Sequence, residues 1–177
     1  MPQIRMNVDG EIYFVTSNTI NDQRIFTNNE YCQILLKNID FYRRKLKFRL
    51  YAYCIIPWHV HLLILPRRGK NISKIMQLIK YRTARDIRKY NHDLRSRQPG
   101  CRLPGAWLEG QRCLNSIWQR SFHDRIVRSD RELDNKIDYI NYNAVKHRIV
   151  DDPITWPYSS FHNHYKTEKE LIEIDYI

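Results

Sequence analysis

A chain of 177 residues, 42% of them hydrophobic and 12% aromatic, can bury one real core and is not disordered. Its 30 Lys+Arg against 19 Asp+Glu leave a formal charge of +11. The strongest apolar run, YCIIPWHVHLLILP at 53–66, is too short for a membrane span and is broken by Pro57 and two histidines.

The basic residues recur in FYRRKLKFR, KYRTARDIRK, RSRQPGCR and RIVRSDR. Each cluster alone reads as a solvated face. Recurrence in four places points to a polyanionic partner, nucleic acid ahead of an anionic membrane. The N-terminal MPQIRMNVDGEIYFV lacks the apolar core and cleavage site of a signal peptide, so a cytoplasmic, nucleoid-associated location is expected. Cys32, Cys54, Cys101 and Cys113 are scattered without a CxxC pair, which fits a reducing compartment and argues against a disulfide scaffold or structural zinc.

In chain order, EIYFVTSNTI (11–20) alternates and predicts a first strand. NEYCQILLKNIDFYRRK (29–45) predicts a helix with Tyr31, Ile34, Leu35, Ile39 and Tyr42 at helical spacing. KFRLYAYCII predicts a second strand and HVHLLIL a third, and the short Pro57-Trp58 link between them favours an antiparallel hairpin. NISKIMQLIKYRTARDIRKYN predicts a second helix, capped by Asn71 or Ser73. Residues 91–116 show no periodicity and read as a basic loop or insertion. SIWQRSFHDRIVR predicts a fourth strand, and SDRELDNKIDYINYNAVKHRIV a final helix opened by a Ser129/Glu132 capping box. The tail, about 151–177, is irregular but aromatic near its start and is expected to pack on the body. The whole of 1–177 reads as a single domain.

The order β-α-β-β-α-β followed by one more helix predicts an α+β, ferredoxin-like split antiparallel sheet with both crossover helices on one face. The third strand then lies inside the sheet. His59 and His61, two apart, project from the same face of that strand with Cα atoms about 7 Å apart, close enough for two imidazoles to meet one ion. Val60, Leu62 and Ile64 turn the other way, into core. Two satisfied core histidines would fit the same spacing, so a third ligand decides. An HxHxDH metallohydrolase would continue with Asp and His, whereas this chain continues with LLILP.

On the final helix, Leu133, Ile137, Ile140 and Ala144 form the buried stripe at 100° per residue. Tyr139 and Asn143 lie together on its flank, and Tyr142 points nearly opposite, with Lys146 at i+4.

PWHVHLLILP resembles the His-hydrophobe-His motif of HUH endonucleases. Together with IWQRSFHDRIVR, DYINYNAVKHRIV and WPYSSF it resembles the single-tyrosine transposases of insertion sequences, most of all their REP-associated tyrosine transposase branch. The likeness runs from about residue 10 to 165. It departs from common members at Ala144, where they carry proline, and at Trp58, where they often carry asparagine.

The resemblance implies a metal-dependent transposase that cleaves and rejoins single-stranded DNA, on hairpin-flanked sequence. Tyr139 would be the catalytic nucleophile, leaving a 5′-phosphotyrosine. His59, His61 and Asn143 would be the metal ligands, for Mg²⁺ or Mn²⁺. A free tyrosine has a pKa near 10, so a nearby charge should assist it, with Lys136 and the metal as candidates. Candidate DNA contacts are Arg82, Arg85 and Arg88 on the second helix, Arg95, Arg97 and Arg102 in the insertion, and Arg120 before the fourth strand. His123-Asp124 could aid proton transfer, although strand packing explains the pair as well. Some relatives complete active sites across a homodimer and others act alone, so both forms stay open. A non-catalytic domain binding structured nucleic acid and a replication-type HUH nickase are the alternative readings.

Overall fold

The computed structural model describes residues 8–97, 117–167 and 170–176. The alternation of IYFVTSN is realised as β1 (Ile12–Asn18), whose residues are in turn buried and half-buried along its length. After it come α1 (Asn29–Leu46), β2 (Arg49–Ile56), β3 (His59–Leu65), α2 (Ile72–Arg97), β4 (His123–Val127), α3 (Asp130–Asn141), and the short α4 (Asn143–Lys146) and α5 (Phe161–His164). The strands form one sheet in the order β2-β3-β1-β4, every neighbouring pair antiparallel. This is the split arrangement expected from the sequence, with β3 inside.

The two faces of the sheet carry separate cores. Val60, Leu62 and Ile64 of β3, with Tyr13 and Val15 of β1, pack against Leu35 and Ile39 of α1 and Ile75 and Ile79 of α2. Each fully buried aliphatic side chain of this kind contributes about 1.5–3 kcal/mol. On the opposite face Cys54, Ile56 and Leu63 meet Leu133, Ile140 and Ala144 of α3 and α4. A register shift between Leu50 and Ala52 sends Tyr51 and Ala52 both to this second face, so β2 serves both layers.

Helix ends follow their caps. Asn28 Oδ1 accepts the Glu30 N–H at 2.9 Å, and Lys47 in the left-handed region (φ 56°) stops α1. Asn71, rather than Ser73, caps α2, accepting the Ser73 N–H at 2.7 Å. Ser129 Oγ accepts the Glu132 N–H at 3.2 Å, as the capping box predicts, but Glu132 reaches back to the N–H of Arg128.

Three expectations need correction. α2 runs on to Arg97, so the first residues read as insertion are helical, and the remainder of that insertion lies outside the described residues. The fourth strand begins only at His123, because Ile117, Trp118 and Phe122 dock into the α1/α2 core instead of alternating. The final helix is kinked at Tyr142 (φ −95°, ψ 10°), although hydrogen bonds from Tyr142 N–H to Asp138 and from Lys146 N–H to Tyr142 carry the ladder across the break.

The tail packs on the body as expected, and in a particular place. Ile55 N–H donates to Tyr158 O, and Ser160 N–H to Tyr53 O, so the tail runs beside the outer edge of β2. Further on, Asp175 N–H donates to Leu50 O, while its carboxylate accepts from Leu50 N–H and Arg43 Nε, each at 2.9 Å. Among the described residues no helix is long and apolar enough to cross a membrane.

Burial alone would raise the Asp175 carboxyl, but Arg43 and the Leu50 N–H outweigh it and hold the group below the ordinary carboxylate range. Its stabilising contribution is therefore complete above a pH of about 4 and lost as pH falls through the lowered folded value. Urea unfolding of Asp175→Ala should show a loss of about 1–2 kcal/mol at neutral pH, discounted for partial exposure, with the gap to wild type closing in acid.

Candidate active site at the His59–His61 strand

Antiparallel register places Thr16 of β1 opposite His61 and Asn18 opposite His59, so all four side chains share the face that carries α3. His59 and His61 are 6% and 3% exposed, with ring centres 4.4 Å apart. Thr16 Oγ1 lies 2.9 Å from His61 Nδ1 and fixes that ring. His61 Nε2, on the other side of the ring, is buried without a hydrogen-bond partner among the described residues. Burial is the main cause that pushes both imidazoles down, His59 to about 4 and His61 to about 2, with the neighbouring histidines adding to it. Both are neutral at pH 7, so their lone pairs are free for a ligand role.

From above, α3 and α4 bring Tyr139 and Asn143. Asn143 is fully buried, its Oδ1 3.1 Å from His59 Nε2 and its Nδ2 without a partner among the described residues. The Tyr139 ring stands 5.4 Å from that of His61, and Phe14 of β1 touches both, stacked on His61 at 5.1 Å and edge-on to Tyr139 at 5.8 Å. The sequence-predicted quartet of His59, His61, Tyr139 and Asn143 is thus gathered at one place. Tyr142 is not part of it: it is 42% exposed and packs edge-on against Phe161.

Lys146 is four residues beyond Tyr142, yet it turns to Tyr139, seven residues before it and on the same side of the helix: its Nζ sits 4.2 Å from the centre of the Tyr139 ring. Lys136 Nζ lies 5.7 Å from the same ring and 4.6 Å from that of Phe14. Two ammonium groups therefore flank the tyrosine.

The tyrosine helix is held to the sheet by a buried network. Tyr53 N–H donates to Ser160 Oγ at 3.0 Å, which obliges the serine proton to go to Asn141 Oδ1, at 2.8 Å. Asn141 Nδ2 lies 3.0 Å from His164 Nδ1, which also stands 3.0 Å from Ser160 O. One amide, between Tyr139 and Asn143, so joins α3, β2 and the tail.

The candidate DNA-binding arginines are dispersed. Arg82, Arg85 and Arg88 lie on α2, on the sheet face opposite the histidines; Asp86 engages Arg82 and Arg85, and Arg88 Nε donates to Ala84 O. Arg95 and Arg97 are in the last turn of α2, Arg102 is outside the described residues, and Arg120 is exposed on the segment entering β4. His123 pairs with Thr16 on the histidine face but is exposed and one strand further out, about 10 Å from His61, while Asp124 turns away.

Sequence reading missed Phe14, Thr16, Lys146 and the flanking His147. Strand alternation groups Phe14, Thr16 and Asn18, yet only the β1–β3 register shows that this group borders the histidines. His147 carries no periodic signal; its ring stands 5.2 Å from His59 and 5.5 Å from Trp58.

Residues 11–143 match the family model described as Transposase IS200 like, and the chain belongs to that family. It is 36% identical over 122 residues to a protein of Haemophilus influenzae described as a candidate REP-associated tyrosine transposase, an overlap of 68% of this chain but only 63% of that protein. It is 26% identical over 159 residues to the REP-associated tyrosine transposase of Escherichia coli K12, covering 89% of this chain and 81% of that one. In fold it resembles a solved REP-associated tyrosine transposase bound to a REP hairpin, with a TM-score of 0.72 at 24% identity over 100% of this chain and 91% of the other.

Asn141→Ala should leave the buried Ser160 hydroxyl without its acceptor and remove one contact of the His164 ring. Denaturant unfolding is expected to show a loss of about 1–3 kcal/mol, where a solvent-exposed asparagine would give almost none.

Proposed function

We propose that the chain cleaves and rejoins single-stranded DNA in a metal-dependent reaction, as a strand transferase with Tyr139 as nucleophile. One observation carries this reading: Tyr139 and Asn143 stand on the two paired histidines, with His59 and Asn143 brought together from 84 residues apart in the chain. A domain that only bound nucleic acid has no need of that convergence.

The donor set fits a divalent ion. Two neutral imidazoles and an amide oxygen converge, and the unpartnered His61 Nε2 is the kind of buried polar atom that a ligand explains. With its Nδ1–H donating to Thr16 Oγ1, that nitrogen presents its lone pair. The 3.1 Å between His59 Nε2 and Asn143 Oδ1 is close to the ~3 Å that separates adjacent ligands of an octahedral ion with bonds of ~2.1 Å. His59, His61 and Asn143 would hold it, and when bound it supplies Lewis-acid polarisation of the scissile phosphate.

The protein's own groups account for the rest. The Tyr139 oxygen attacks phosphorus in line as the bond from phosphorus to the 3′-oxygen breaks; the departing strand takes up a proton as a 3′-hydroxyl and the 5′-phosphate stays on the tyrosine. The phosphodiester is exchanged rather than hydrolysed, so another 3′-hydroxyl can reverse the step and join strands without a nucleotide cofactor. Lys136 and Lys146 set positive charge beside the anionic centre, and Phe14 keeps the phenol and the His61 ring at a fixed angle. A hairpin with a single-stranded flank is the substrate that best accords with the REP hairpin carried by the structural relative and with the +11 charge.

A labelled hairpin with single-stranded flanks, incubated with the protein and Mn²⁺, should give an SDS-resistant adduct. Tyr139→Phe should abolish it and Tyr142→Phe should leave it; the reverse pattern would refute the choice of nucleophile.

Independently of activity, Mn²⁺ at about a hundred times its Kd should stabilise the folded protein by ~2.7 kcal/mol. His61→Ala should remove that increment, and its persistence in the variant would place the ion elsewhere.

A further inference from the structure

Trp58 stands next to the first histidine, in the turn between β2 and β3, and is placed with unusual care. Its carbonyl accepts from the Thr19 N–H at 2.8 Å and from Thr19 Oγ1 at 3.0 Å, while Pro57 O accepts the Phe26 N–H at 3.0 Å. These bonds stitch the turn to the segment joining β1 to α1, which carries Arg24. The Arg24 guanidinium lies over the indole, 5.2 Å from its centre, is exposed to solvent, and forms no ion pair among the described residues. His147 approaches the same indole edge-on at 5.5 Å and His59 at 6.0 Å.

The neighbouring tryptophans show what an indole with a packing role does here. Trp118 is 3% exposed and packs on Phe26, and Trp156 donates its Nε1–H to Ile55 O at 2.9 Å. Trp58 is only partly buried, and its Nε1 makes no hydrogen bond among the described residues. An accessible ring, a cation without an acidic partner and an imidazole edge thus sit together at the rim of the His59–His61 pocket. Indole faces and guanidinium planes stack on nucleobases whatever the base, and an unpaired guanidinium seeks a phosphate.

We propose that Trp58, Arg24 and His147 form a nucleobase-stacking subsite, which holds the base of the nucleotide next to the scissile phosphate while Arg24 contacts its backbone. The proposal rests on the strand-transferase reading for the position of that phosphate, but its test needs no chemistry. Tyr139→Phe protein is titrated with a short DNA hairpin carrying single-stranded thymidine tails, in which an abasic residue is stepped along each tail. One abasic position should weaken binding by about 5- to 100-fold. In the same background Trp58→Ala should bind intact and abasic strands equally weakly, and Trp58→Phe should restore the sensitivity. Arg24→Ala should lower the slope of log affinity against log salt by about 0.7. If Trp58→Ala keeps the abasic profile of its parent, or if the Phe variant is as insensitive as the Ala variant, the subsite is refuted. Coupling between Trp58 and one base without any Tyr139 adduct would keep the subsite and remove the strand-transferase reading; an adduct with additive losses would do the opposite.

Discussion

Everything at this site depends on where the third strand lies. With β1 on one side and β2 on the other, β3 has both edges hydrogen-bonded and both faces covered, so two imidazoles on it are held by the stiffest part of the molecule. A slip of one residue in the β1–β3 register would turn the histidines toward the aliphatic core and bring Val60 and Leu62 out in their place. The aliphatic side chains facing α1 and α2 make that slip prohibitive. Hydrophobic burial on one face of the sheet thereby fixes the chemistry on the other.

The helix above is positioned by different means. It has few apolar anchors, Leu133, Ile140 and Ala144, and a kink at Tyr142. Its orientation is secured instead by buried polar groups: Asn141 between Ser160 and His164, and Asn143 on His59. Buried amides of this kind specify geometry sharply, because each misplacement leaves donors unpaired. Lys146, two turns beyond Tyr139 on the same side of the helix, gives that tyrosine its second cation.

Much of this was legible in the sequence. Alternation and helical spacing located the strands and helices, the order of elements gave the split sheet, and two-residue spacing put His59 and His61 on one face. The angular argument separated Tyr139 from Tyr142 correctly. What could not be read were contacts set by register: Thr16 and Phe14 border the histidines only through strand pairing. Lys146, seven residues from Tyr139, shares its side of a regular helix, a spacing that the i+4 relation to Tyr142 masked. The charge clusters are legible in a different way: repetition of Arg along α2 signals a polyanion, while the fold sets those side chains on the sheet face opposite the histidines, two of them beside Asp86. Net charge reports what is attracted, not where it docks.

The stretch LYAYCII of β2 is rich in β-formers, uncharged, and lies at the margin of the sheet, where a bare backbone would recruit other chains. Its guard is made of residues that follow the last strand in the chain, Tyr158 to Ser160 and Asp175. During synthesis the four strands emerge before that guard, so nascent molecules pass through an interval in which a sticky margin is uncovered. Arrival of the later segment is thus also the event that makes the sheet safe among its own copies.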